Sequence, residues 1–179
     1  MKLGKLDLAP ATEKPTWMAP PTQKALQHLE QANEIWVAQI DPTFADTAAF
    51  CQQYEVSPDQ SVNCVIIEAR RGENRTYAAC MILATQRADV NGVVRRHLDA
   101  RKASFASMET AVQLSGMEYG GITPIGLPSD WPILIDPAVL AVEQAIIGSG
   151  IRASKLMLPG KLLAELPGAL VLDGLAQQT

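Results

Sequence analysis

Two long apolar runs lie back to back in the middle of the chain and limit what it can fold into. Val62-Asn-Cys-Val-Ile-Ile-Glu-Ala69 and Thr76-Tyr-Ala-Ala-Cys-Met-Ile-Leu-Ala84 flank Arg70-Arg-Gly-Glu-Asn-Arg75. Two such runs around a polar, glycine-containing turn read as a β-hairpin. Neither run alternates polar with apolar residues, so both strands must be covered on both faces and lie centrally in a sheet.

Around this hairpin the pattern is mixed. Thr22 reads as the N-cap of a helix carrying Ala25, Leu26, Leu29 and Ala32, and Glu34–Ile40 reads as a strand closed by Asp41-Pro42. A short helix opens near Asp46, with Phe50 and Tyr54 four apart on one face. Asp89 caps a helix whose inner stripe is Val90, Val93, Val94, His97 and Leu98. After a strand at Lys102–Ala106, Ser107 opens a helix that Gly116 ends. Strands are expected at 133–136, 145–147, 155–158 and 170–172, with a short helix over 160–165. Strands outnumber helices and do not alternate strictly with them, which predicts an α+β fold, a mixed sheet with helices packed around it. Residues 1–20 are punctuated by proline and show no period, so they are expected to form an irregular N-terminal arm ahead of a single domain over 21–179.

Composition narrows the function. With 47% apolar and 19% charged residues the chain can build a core, and its net charge of −4 argues against general coating of DNA or RNA. The longest apolar run, Ala78–Ala84, is far shorter than the ~20 residues a membrane helix needs. The N-terminus lacks the apolar stretch of a secretory signal, so a cytoplasmic location is expected. Cys51, Cys64 and Cys80 have neither zinc spacing nor a C-x-x-C pair and read as buried reduced thiols.

The chemistry-bearing segment is Leu114-Ser-Gly-Met-Glu-Tyr-Gly-Gly-Ile-Thr-Pro-Ile-Gly126. Glycine permits positive φ and close approach to the main chain, while Pro124 fixes φ and removes a donor. Such a loop can hold a polar ligand with N–H groups alone; the plainer reading is helix capping and tight turning. Other candidates are weaker. His97 sits in an apolar stripe, and no G-x-S-x-G elbow accompanies either histidine. Gly148-Ser-Gly-Ile-Arg-Ala153 matches G-x-G-x-x-A, but the extended Ser154–Leu158 follows where a dinucleotide site requires a helix. Arg70, Arg71 and Arg75 mark the hairpin tip, and Arg87, Arg95, Arg96, Arg101 and Lys102 surround one helix. These are either a solvated face, with Arg95 paired to Asp99, or a phosphate-contacting edge. Asp136-Pro137 closes a strand and reads as a turn former, or as a pocket residue if the glycine loops lie beside it.

In order and spacing these pieces resemble the YbaK/EbsC family, free-standing relatives of the editing domain inserted in bacterial prolyl-tRNA synthetases. The resemblance is carried by Asp46-Thr47-Ala48 opening a helix, the strand Val62–Ile67, Gly116-Met-Glu-Tyr-Gly-Gly-Ile-Thr-Pro-Ile-Gly126, Ile135-Asp136, Ile146-Ile-Gly-Ser-Gly150 and Ser154-Lys-Leu-Met-Leu-Pro159, over residues 34–173. It implies a mixed, strongly curved β-sheet surrounded by helices, and hydrolysis of the ester joining a wrong amino acid to tRNA by water rather than by a side-chain nucleophile.

On that resemblance Gly120, Gly121 and Asn63 are the expected catalytic positions, with Gly116, Thr123, Pro124, Asp136, Gly148 and Gly150 around the substrate. No metal or organic cofactor is implied. The expected partner is the acceptor end of an aminoacyl-tRNA, of prolyl type, lying along Arg95, Arg96, Arg101 and Lys102, with an aminoacyl-tRNA synthetase as a further partner and neither membrane nor DNA. One position departs from the pattern. Asn63 stands where the family usually has lysine, so it can donate a hydrogen bond but brings no charge. Three consequences stay open: weakened activity, a different ligand, or a charge supplied by Lys102 or Lys155. The alternative function is a non-catalytic binding module for aminoacyl-tRNA or a small ligand.

Overall fold

The computed structural model describes residues 1–179. In chain order its helices and strands are β1 (Lys2–Leu3), β2 (Leu6–Asp7), β3 (Ala9–Pro10), α1 (Pro20–Leu26), β4 (Trp36–Gln39), α2 (Thr47–Tyr54), β5 (Val62–Arg71), β6 (Asn74–Leu83), β7 (Gln86–Ala88), α3 (Arg95–His97), β8 (Lys102–Phe105), α4 (Met108–Ser115), β9 (Ile133–Ile135), α5 (Pro137–Leu140), β10 (Ala145–Gly148), β11 (Ser154–Leu158), β12 (Ala169–Val171) and β13 (Ala176–Gln178). The fold is α+β, as its residue pattern predicts.

The apolar hairpin is the centre of a five-stranded mixed sheet, β12-β9-β6-β5-β8, in which β12, β9 and β6 run parallel and the other pairs antiparallel. A second, antiparallel sheet runs β10-β11-β4-β3. A single parallel bridge, Ser61 to Ile146, ties β10 to the start of β5. The main core includes Val37, Ile66, Met81, Ile135, Ile147, Leu156 and Leu158, so it draws on both sheets. A second cluster joins the α2 residues Phe50 and Cys51 to Ile146 and Met157. A third joins Ile67, Cys80 and Leu134 to Val90 and Val94. Both faces of β5 and β6 are covered, which explains their unbroken apolar runs.

Local chemistry fixes the ends. Asp89 accepts from the Gly92 and Val93 amides, Ser107 from Thr110, and Gly116 ends α4 at φ 69°. Three expectations need correction. Residues 1–20 are not a loose arm: Ala9 pairs with Val37, Leu6 and Leu8 pack against Ile40 and Phe50, and Ala11 and Met18 enter the main core. Strands of two residues are too short to show a period, which is why the segment looked irregular. Helix α1 begins after Ala19 with Pro20 and Pro21 in its first turn, and Thr22 is fully buried inside it. Asp99 pairs with Arg71 at 2.9 Å rather than with Arg95, because Asp99 has left the helix at φ 48°.

Candidate functional site

The edge of β5 that faces away from β6 is used twice. At one end Ser61 bridges Ile146 of β10, and at the other Ile67 and its neighbours pair with β8. Between those two contacts no strand lies alongside. Ile66 accepts from the Ala106 amide and Arg70 from the Arg101 amide, so the even-numbered residues of β5 turn their backbone groups to this edge. By that alternation the N–H and C=O of Cys64 open into the gap.

The gap is a cleft of about 370 Å³. Its floor is Ser61–Ile66. Ile146, Ile147, Gly148 and Lys155 form one wall, and Phe105, Ala106 and Ala111 form the other. Residues Ala45–Thr47 and Phe50, with the turn through Tyr119, Gly120 and Ile122, close it over. Most of the lining residues are apolar; Asp46, Thr47, Ser61, Asn63, Tyr119 and Lys155 supply the polar side chains. Phe105 and Tyr119 remain 63% and 56% exposed on its rim.

Asn63, Gly120 and Gly148 of the expected site therefore meet in one cleft. Thr47 donates to the Asn63 side-chain oxygen at 3.1 Å, which leaves the Asn63 NH₂ group available. The N–H groups of Gly120 and Ile122 bond to nothing within the chain. Gly121, between them, is buried, and its N–H is already held by the Glu118 carbonyl at 3.0 Å.

The two glycine loops are laced together. Glu118 donates to Gly150, Gly150 donates to Gly121, and the Arg152 amide donates to the Glu118 carboxylate at 2.7 Å. A Cβ on Gly121 would stand 2.5 Å from the Ile151 carbonyl, and one on Gly148 would overlap the Gly121 carbonyl. Most of these glycines thus allow backbone to approach backbone rather than ligand to approach backbone. Gly120 is different: at φ 82° it is exposed, and a Cβ there would run into the Arg152 guanidinium.

Arg152 was not visible as a site residue in the sequence. Its guanidinium donates to Tyr119 O at 3.3 Å and Pro42 O at 3.2 Å and lies 3.6 Å from Asp46. It holds the Gly120 turn against the segment leading into α2, and its own bond to Pro42 spans 110 residues of sequence. Lys155, also outside the expected list of site residues, projects from β11 into the cleft wall. Burial first, then the nearby Arg152, holds its ammonium down to about 8, with Asp46 and Cys51 opposing.

Other expected positions lie behind the cleft or away from it. Gly116 caps α4, and Gly150 packs on Ala19. Thr123 is fully buried with an unpartnered hydroxyl. Pro124 lines a separate groove of about 250 Å³ with His28 and Trp131. Asp136 is the N-cap of α5, accepting from Ala138 and Ala176 amides at 2.9 Å each. Arg95 and Arg96 lie on α3, while Arg101 and Lys102 lead into β8, whose opposite end carries Phe105; Lys102 is about 10 Å from Phe105 along the strand.

No side chain on the wall is placed as a covalent nucleophile. Burial, with Cys80 second, drives the Cys64 thiol far above its ordinary range, and burial pushes Cys80 up to about 12. A thiol so held does not form the reactive thiolate. Neither histidine lines the cleft, no group of three or more His, Cys, Asp and Glu side chains is arranged to hold a metal, and no helix is long and apolar enough to cross a membrane.

A family model described as the aminoacyl-tRNA editing domain matches residues 41–166. Among solved structures the fold is similar to the hypothetical protein APE2540, at 20% identity and TM-score 0.76, covering 88% of this chain and 99% of that one. It is also similar to a candidate trans-editing enzyme for prolyl tRNA synthetase, at 19% identity and TM-score 0.74, covering 97% of this chain and 100% of that one.

Proposed function

The chain belongs to the aminoacyl-tRNA editing domain family, and from that premise we propose that it hydrolyses, in trans, the ester of a misacylated, prolyl-type tRNA. The observation that carries this reading is the cleft over the unpaired stretch of β5, where the free Gly120 amide, the open Cys64 backbone and Asn63 converge.

An ester has a competent leaving group, so its hydrolysis needs a positioned water and stabilisation of the charge that develops on the carbonyl oxygen. The Gly120 N–H, with Ile122 and Cys64 beside it, supplies fixed donors for that oxygen; removing one such donor typically costs ~3–4 kcal/mol in the transition state. They are held by the laced loops and by β5, so little reorganisation accompanies reaction. Water adds its oxygen to the acyl carbon, the bond to the ribose oxygen breaks, and the water's proton ends on that oxygen. Asn63, oriented by Thr47, holds the substrate end. The apolar walls suit a small, uncharged acyl side chain. The acceptor strand leaves over the rim and reaches the basic edge at Arg95, Arg96, Arg101 and Lys102.

The test is a deacylation panel with alanine, cysteine, serine and proline each attached to tRNA for proline. Selective release of one small amino acid is expected, with loss of turnover in Gly120→Ala. Absence of release from all four would remove the proposal.

A further inference from the structure

Lys155 is the only lysine or arginine on the cleft wall, and the activity proposed above gives it no work. Its ammonium donates to the Ala45 carbonyl at 3.0 Å and lies 5.3 Å from the centre of the Phe50 ring. No carboxylate pairs with it, and the one acid on the wall, Asp46, is engaged by Arg152 at 3.6 Å. An ammonium has three donors, and only one is used within the chain.

The strand registers show where the remaining donors reach. The parallel bridge from Ser61 to Ile146 sets Gly148 beside Asn63, and Gly148 pairs directly with Lys155. Asn63 and Lys155 are thus two strand spacings apart, about 10 Å, on the face that α2 covers. Gly148 lies between them, and the Gly121 and Ile122 carbonyls stand over it where a side chain would be. The Asn63 and Lys155 side chains both still line the cleft, an amide donor at one position and a cation without a carboxylate partner at the other.

We propose that Lys155 is the anion anchor of this cleft, its ammonium receiving a negatively charged oxygen of the ligand. Resting on the deacylase reading, that oxygen has two sources: the phosphate of the tRNA's last nucleotide, or the oxyanion formed on the acyl carbon. A desolvated, unpaired cation gains more from an anion than from any neutral group. The charged and titratable groups facing Lys155 are Arg152 on the preceding loop and Asp46 and Cys51 at and within α2, and none of them neutralises it. Burial and then Arg152 lower its proton affinity to about 8, and an arriving anion raises it.

The experiment compares adenosine 5′-monophosphate with adenosine as probes, by calorimetry and by NMR titration of the Lys155 side chain, in the unmodified protein, Lys155→Met and Lys155→Arg. The deacylation kinetics of all three are read alongside. If phosphate is the source, the monophosphate binds at least tenfold tighter than adenosine and raises the Lys155 titration by a unit or more. Lys155→Met then abolishes the preference and Lys155→Arg keeps part of it. If the oxyanion is the source, the two probes bind alike; Lys155→Met lowers kcat at least tenfold with KM unchanged, and kcat of the unmodified protein falls above about pH 8. Equal binding of both probes together with unchanged kcat and KM in a folded Lys155→Met protein overturns the proposal. A preference for the monophosphate without deacylation of any tRNA would leave the anchor standing and discard the hydrolase.

Discussion

The two ends of β5 share one strand and one sheet but offer a ligand opposite things. At the Asn63 end the outer edge has no partner, and the backbone of Cys64 faces a cleft lined mostly by apolar residues. At the Arg70 end the same edge is paired with β8, and charge is plentiful: Arg71 meets Asp99 at 2.9 Å in the open, and Arg70 reaches back to the buried Glu68. Exposed ion pairs contribute little and are screened by salt, whereas a donor held fixed beside apolar walls needs no reorganisation when charge develops on a bound oxygen. The conspicuous charge cluster is therefore suited to general attraction of a polyanion, and the inconspicuous strand gap to chemistry.

Changes at the cleft end should break function most. In Gly120→Ala the added methyl meets Arg152 and demands a residue at φ 82°, so the turn shifts and its free amide is lost to the reacting oxygen. A fall in kcat/KM of about 10²–10³-fold is expected for loss of a donor of this kind; deacylation kinetics measure it, with circular dichroism to confirm folding.

Lys155→Met sharpens the comparison through stability. The free side chain keeps its proton to about 10.5, the folded one only to about 8. Between those values the unfolded chain holds more protons, so stability of the unmodified protein should rise with pH across that window and carry the full burden of the buried charge below it. The substitution should stabilise at neutral pH by on the order of 1–3 kcal/mol, an advantage that shrinks toward pH 10.5. Urea denaturation at pH 7, 9 and 10.5 reads the trend.

Asn63→Ala removes one neutral hydrogen-bonding group and its Thr47 contact. A three- to tenfold loss of kcat/KM is expected from about 0.5–1.5 kcal/mol. At the other end, Arg95→Gln, Arg96→Gln, Arg101→Gln and Lys102→Gln should leave kcat alone. Each that contacts phosphate should reduce the slope of log affinity against log salt by about 0.7–0.9. An unchanged slope in the fourfold variant would take this edge out of the tRNA path.

Much of the fold could be read locally. The apolar hairpin announced its central place, and Asp89, Ser107 and Gly116 marked helix ends because a cap acts on residues three or four positions away, while Asp46 stands at the start of α2 without a side-chain cap bond. What escaped depends on distance. The pairings of Ala9 with Val37 and of β13 with β7 join segments with no periodic signature of their own. Asp136-Pro137 carries a readable signal, an N-cap followed by proline at the first helical position, which fits the turn-forming reading rather than the pocket one. The sequence points to the glycine loops but does not distinguish Gly120, facing the cleft, from Gly121, facing Ile151. Arg152 escaped because its partners at Pro42 and Asp46 are remote. Lys155 is one of the two cations the sequence offers for the charge missing at Asn63, and only the fold puts it, rather than Lys102, on the cleft wall.

The most direct measurement is amide NMR of the protein titrated with a non-hydrolysable, amide-linked aminoacyl-adenosine. The largest shifts should fall on the main-chain N–H signals of Gly120, Ile122 and Cys64, with little change from Arg95 to Lys102. Shifts confined to the basic edge, with those three signals unmoved at saturation, would contradict the assignment of the β5 gap as the reacting site.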